Sequence, residues 1–202
     1  MTRPRRYGDA GQAFPIYITV VGGLLFLALA YFAVGQAAVN RNGAQTAADA
    51  AALAAAQDTR DQLAGEWTKN VLDPTKWQDI LEGNGQALQP SCRRAYELAN
   101  QNDAHILGSD GCIPNLLGYT VRVETNKPMG DSVVPITSTK HSKASATAVI
   151  QPLCKFKPLA ANAGTDVLPR LKCKNRYWDL DPKHLTDLPK PQDLFDVHLA
   201  DR

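Results

Sequence analysis

Four cysteines, Cys92, Cys112, Cys154 and Cys173, carry the chemistry most readable from residue type and spacing. An even set of thiols serves either as two disulfides or as a tetrahedral zinc site. No C-x-x-C pair occurs and no histidine stands at ligand spacing from any of the four, so disulfides are the expected use. Three connectivities are open. The predicted one joins Cys92 to Cys112 and Cys154 to Cys173, because each bond closes a short loop rich in turn residues. Other chemistry is thin. Asp103 precedes His105, Asp181 precedes His184 and Asp196 precedes His198, pairings that would orient an imidazole. Each lies in a polar stretch, where solvated charge is the ordinary use. Ser109-Asp110-Gly111 and Ser138-Thr139-Lys140-His141 place hydroxyls near turns, without a G-x-S-x-G elbow, a phosphate loop or an H-E-x-x-H helix. The sequence therefore predicts no catalytic residue, no metal, no cofactor and a protein that is not an enzyme.

Disulfides need an oxidising compartment, and the element that would deliver the cysteines to one stands upstream of them. Between Asp9 and Arg41 there is no Asp, Glu, Lys or Arg, and Phe14 to Val34 is almost wholly apolar. A hydrocarbon core about 30 Å thick takes roughly 20 such residues as a helix. Arg3, Arg5 and Arg6 precede the run, and basic residues beside a span stay cytoplasmic, so residues 1–13 are expected inside and the chain beyond the span outside. A cleaved signal peptide is the rival reading, but its apolar region would be about 7 to 15 residues. This run is longer, and no helix breaker separates it from Gly35-Gln36-Ala37-Ala38-Val39. The span, residues 14–38, is expected to be retained. Gly22 and Gly23 sit in its middle, where small residues let another helix approach, although glycine is also simply commoner in membrane helices.

From Ala37 the Ala-rich sequence has high helix propensity and no proline, which predicts that the same helix continues over 39–72. Val39, Thr46, Leu53, Ala56, Leu63, Trp67 and Val71 fall near three-and-four spacing. Ala47, Ala48, Ala51, Ala52 and Ala55 give the helix a face of little bulk, suited either to a helix of another subunit or to a sheet of its own domain. Residues 73–157 are sized for one small domain. Within it, Pro74 to Leu81 reads as a short helix, and Ser91 would cap another running to Ala99. Tyr119, Val121, Val123 and Thr125 alternate as a strand, and so do Ala144, Ala146, Ala148 and Ile150; Val133 to Thr137 is a candidate edge strand. The expected class is α+β, a long N-terminal helix packed on a small antiparallel sheet. Residues 158–202, punctuated by Pro158, Pro169, Pro182, Pro189 and Pro191, are expected to wrap over the surface without adding core. Tyr177-Trp178 and Asp193 to Leu199 would pin this tail down or dock a partner.

The 202-residue chain has a net charge of only +2, with Lys and Arg mixed among carboxylates, so no nucleic-acid partner is expected. Basic residues concentrate in Lys155, Lys157, Arg170, Lys172, Lys174 and Arg176. That region is either ordinary surface charge or a contact for an anionic envelope polymer.

The basic tail, GQAFPIYI entering the span, and QTAADAAALAAA just beyond it together resemble the TadE/TadG-like proteins of tight-adherence (Flp, type IVc) pilus assembly. The resemblance covers Gly11 to Ala56. It implies a pilin-like architecture, a membrane-anchored minor pseudopilin or assembly component of such a pilus or a related secretion apparatus, and partners in the bilayer, the pilus or secretion machinery and other pseudopilins. It also implies a single-pass location with the C-terminal domain outside the cell or in a surface pilus. The chain departs from the family's processing pattern, a glycine followed five residues later by glutamate: Gly11 is followed by Ile16 and Gly8 by Ala13. The alternative reading is a membrane-tethered extracellular module that binds an envelope polymer or a protein partner.

Overall fold

Ala13 to Lys69 forms one unbroken helix, α1, of 57 residues. The computed structural model describes residues 13–86, 88–128, 139–159 and 167–201. Pro15 is tolerated because it lies in the first turn, where its missing N–H has no partner to lose. Beyond Lys69 the chain turns through Asn70 to Asp73, then makes a 3-10 turn (Pro74–Lys76) and a short helix, α2 (Trp77–Leu81). The next helix, α3, runs from Cys92 to Gln101.

The strands β1 (Ala104–Ile106), β2 (Cys112–Asn115), β3 (Gly118–Thr125), β4 (Lys143–Pro152) and β8 (Phe195–Leu199) form an antiparallel sheet in the order β1-β3-β4-β8. β2 pairs with β3 on the edge that β1 also uses. The two half-strands meet at Arg122, whose carbonyl accepts the Leu107 N–H (3.0 Å) and whose N–H donates to the Gly111 carbonyl (2.7 Å). Residues 107–111 loop out between them. Gly111 is required there, since a Cβ would press into the Leu107 backbone. A second antiparallel sheet consists of β5 (Cys154–Phe156), β6 (Leu171–Cys173) and β7 (Arg176–Trp178), with the tight turn at Lys174-Asn175 held by a positive φ at Lys174. A short helix, α4 (Pro191–Leu194), with Pro191 in its first turn, leads into β8.

The α+β architecture follows from how α1 meets the larger sheet. The helix packs on β3, β4 and β8 and is flanked by α3 and α4. Ala47, Ala48, Ala51, Ala52, Ala55 and Ala56 are all fully buried on the side it presents to the domain. Ala146, Ala148 and Ile150 of β4 and Tyr119, Val121 and Val123 of β3 are buried with them in one core. Leu63 and Trp67 widen the contact further along, where Trp67 meets Trp77 at 5.4 Å between ring centroids and Trp77 meets Phe156 at 5.3 Å. Buried hydroxyls join three elements: Thr59 Oγ1 lies 2.7 Å from Ser91 Oγ and 3.0 Å from Tyr119 Oη.

Three expectations are corrected. The bulky stripe beginning Val39, Thr46, Leu53 is not the buried face at its start: Val39 and Thr46 are exposed and Leu53 is half-buried, because the sheet comes too close for anything larger than alanine. Of the two uses open to the alanine face, a helix of another subunit or a sheet of its own domain, the second is taken here, and this domain covers the face completely. Ser91 makes no side-chain cap; its hydroxyl is taken by Thr59 instead. The tail does add core. It supplies β6, β7, α4 and β8, with Leu171, Leu194 and Phe195 fully buried, and Trp178 is buried while Tyr177 is exposed. Its prolines fall at turns and element starts, where no ladder N–H is lost. The candidate strand Val133 to Thr137 lies outside the described residues.

Overfilling the alanine face is expected to destabilise the monomer. Ala51→Leu or Ala55→Leu should cost about 1–3 kcal/mol, read as a lower denaturation midpoint of the full chain in detergent micelles. A variant as stable as the parent would mean that this face is not core.

Candidate functional site: an uncovered anchor and a braced head

The two ends of α1 differ sharply in what covers them. From Phe14 to Val34 the large apolar side chains are exposed, Phe14 at 71% and Tyr31 at 84%, and this is a helix long and apolar enough to cross a membrane. Gly22 and Gly23 have no heavy atom within 4 Å of where a Cβ would stand, so nothing in this chain requires them to be glycine. Arg3, Arg5 and Arg6 lie outside the described residues. The domain takes hold of the helix at Asn40, whose Nδ2 donates to the carbonyls of Lys127 (3.3 Å) and Pro128 (3.2 Å). Those carbonyls follow directly after β3, so that end of the sheet lies just beyond the apolar run. From Val34 to Trp67 the helix extends about 50 Å at about 1.5 Å per residue.

Cys92 is bonded to Cys112 and Cys154 to Cys173. The first bond ties the start of α3 to β2, and the second bridges directly opposed residues of β5 and β6. Both bonds lie off α1: the first ties α3, which also packs on α1, to the sheet edge, and the second holds the small sheet together. The loop between β1 and β2 is held by charge: Asp110 Oδ2 accepts from Arg122 Nη2 at 2.6 Å. That hydrogen bond, followed by a backbone hydrogen bond and the Arg122 charge, holds the Asp110 carboxyl below its ordinary value of 3.8.

The histidines do not converge. His184 Nδ1 lies 2.8 Å from Asp181 Oδ2 and His198 Nδ1 lies 3.2 Å from Asp196 Oδ2, both pairs exposed. His105 contacts Asn126 rather than Asp103. The His184 hydrogen bond leads the causes that lower the pKa of Asp181. Among the described residues no three His, Cys, Asp or Glu side chains gather as metal ligands. A groove of about 620 Å³ opens between the segment that follows α1 and the end of β5, lined by Leu72, Pro74, Phe156, Pro158 and Leu168 among others, none of them ionisable.

Residues 11–58 match the family model described as "Putative Flp pilus-assembly TadE/G-like". No curated protein and no solved structure gives a significant match. The TadE/G-like segment is the span together with most of the alanine face of α1, and it stops short of every strand.

One arrangement escaped the sequence reading. Lys155, Lys172 and Tyr177 stand in register across the three strands of the small sheet, and all three are exposed. The signal was present as two-residue alternation, Lys155-Phe156-Lys157 and Arg170-Leu171-Lys172-Cys173-Lys174, with Lys155 and Lys172 exposed and Leu171 and Cys173 buried.

Two measurements follow. Replacing either cysteine pair with alanine should cost about 3 kcal/mol by loop closure, because the bonded residues are separated by 20 and 19 positions; denaturant unfolding of each double variant checks it. Because the folded pKa of Asp110 is lowered, its contribution to stability is complete above the unfolded value and is lost as pH falls through the folded one. Asp110→Asn should therefore flatten the acid limb of the stability profile below about pH 4, and an unchanged limb would place the titration elsewhere.

Proposed function

We propose that this chain is a membrane-anchored, pseudopilin-like component of a tight-adherence-type pilus or a related secretion apparatus. The observation that carries the reading is the coincidence of two boundaries. The segment matching the pilus-assembly family holds both the uncovered span and the helix face that mounts the head. In this reading residues 1–13 are cytoplasmic, as Arg3, Arg5 and Arg6 direct, and the disulfide-braced head stands outside, where its two bonds persist. Contact with other subunits runs through the exposed side of α1 and the span, because the domain-facing alanines are already occupied. Gly22 and Gly23 are the positions where a neighbouring membrane helix would come nearest. The absence of glutamate five residues after Gly8 or Gly11 favours a resident assembly component over a processed filament subunit.

Gly22→Leu and Gly23→Leu test the packing, since the isolated chain has room for both side chains. Expected is an unchanged unfolding midpoint together with loss of cross-linked partners in membranes of the producing cell. Undiminished cross-linking would remove these glycines from the interface. Mass spectrometry of the N-terminal peptide, run separately on membrane and sheared surface fractions, decides the finer role. An intact basic tail confined to the membrane marks the resident component, and a start just after Gly8 or Gly11 in the sheared fraction marks a filament subunit.

A further inference from the structure

The exposed face of the small sheet gathers basic side chains, and the assembly role makes no use of it. Lys155 and Lys172 are direct cross-strand partners, and Tyr177 continues their row on β7. Lys157 and Arg170 stand one residue beyond the paired ends of β5 and β6, Arg170 against the Tyr177 ring, and Lys174 is in the turn that follows β6. The resulting lattice has cations about 5 Å apart across strands and about 7 Å apart along them. Arg170 is paired with Asp179, Nε to Oδ1 at 2.8 Å, whereas no ion pair to Lys155, Lys157, Lys172 or Lys174 is present among the described residues.

Tyr177 holds part of this lattice in place. The Arg170 guanidinium sits 4.5 Å from the centroid of its ring and the Lys172 ammonium 5.5 Å. Cations steadied against an aromatic ring lose less rotamer freedom when a ligand arrives. Like charges crowded on a sheet repel one another, so an arriving anion relieves that repulsion in addition to making its own pairs.

We infer that this face binds an extended polyanion of the polyuronate class, an acidic polysaccharide with one carboxylate on each sugar. Three observations select it. The charges of this face repeat both across and along the strands, which suits a chain of evenly spaced anions rather than one compact ligand. Its unpaired cations among the described residues are all lysines, compact point charges that meet singly charged groups one at a time, while Arg170, whose planar fork could take a bidentate ligand, already holds a carboxylate. The sheet packs through Phe156 on Trp77, beside Trp67 at the far end of α1. It therefore stands about 50 Å of helix beyond the span, out of reach of the headgroups around its own anchor.

The test uses the full chain in nanodiscs of neutral lipid, with polygalacturonate as probe, dextran as the uncharged control and a single-stranded DNA oligonucleotide as the phosphate polymer. Expected is retention of polygalacturonate at low salt that weakens steeply as salt rises, with no retention of dextran. Lys155→Gln/Lys172→Gln should weaken it at least tenfold and Tyr177→Ala severalfold, with melting curves unchanged. Lys127→Gln/Lys140→Gln, at the membrane end of the head, should leave it unchanged. Failure of the parent to retain polygalacturonate, equal binding by Lys155→Gln/Lys172→Gln, or tighter binding of the oligonucleotide overturns the inference. None of these results bears on cross-linking through the span, so the assembly reading stands or falls separately.

Discussion

The close approach of an alanine-faced helix to an alanine-rich strand sets the geometry of the whole head. Ala48, Ala51, Ala52 and Ala55 on α1, with Ala146 and Ala148 on β4, remove the bulk that would otherwise keep helix and sheet apart. Dispersion contacts then extend over a long seam even though each residue contributes little. Alanine loses no side-chain entropy on burial, so such a seam is stabilised at small conformational cost. The same closeness makes it intolerant of added volume, since a well-packed interior cannot absorb new methylenes without strain. On the helix side large buried residues appear only toward the end of α1, at Leu63 and Trp67, while Val121, Val123 and Ile150 fill the sheet side.

That seam begins almost where the apolar run stops. Asn40 bridges to the backbone beyond β3, and the first fully buried alanine, Ala44, is one helical turn later. There is thus no stalk between anchor and head. The disulfides take the complementary task. α3 and β2 are joined by one bond, β5 and β6 by the other, and the small sheet in particular has only three short strands with which to hold itself together. A domain of this size gains substantially from such staples.

Much of this was legible from residue patterns. The apolar run, the alternation in β3 and the small-residue alternation in β4 each reflect a period that burial imposes locally. The tail was misread because its prolines suggested irregular surface chain; only the tertiary pairing of β8 with β4 makes Leu194 and Phe195 interior residues. Which side of α1 would be buried was equally illegible from bulk, since Val39 and Thr46 point outward while alanines point in. Hydrophobicity ranks side chains by size, and this interface selects against size. The cationic row was visible as alternation in two separate segments, and only the expected Cys154–Cys173 bond, one residue from each lysine, brings Lys155 and Lys172 together; their register with Tyr177 comes from tertiary pairing.

The unbroken course of α1 has a mechanical consequence. With no proline after Pro15 and no interruption of the helix between span and head, there is no hinge at which displacement of the head could be absorbed. Tension applied to the outer sheet would pass through the aromatic cluster into the helix axis and from there into the bilayer. With the helix continuous from span to head, tilting the head would tilt the span with it.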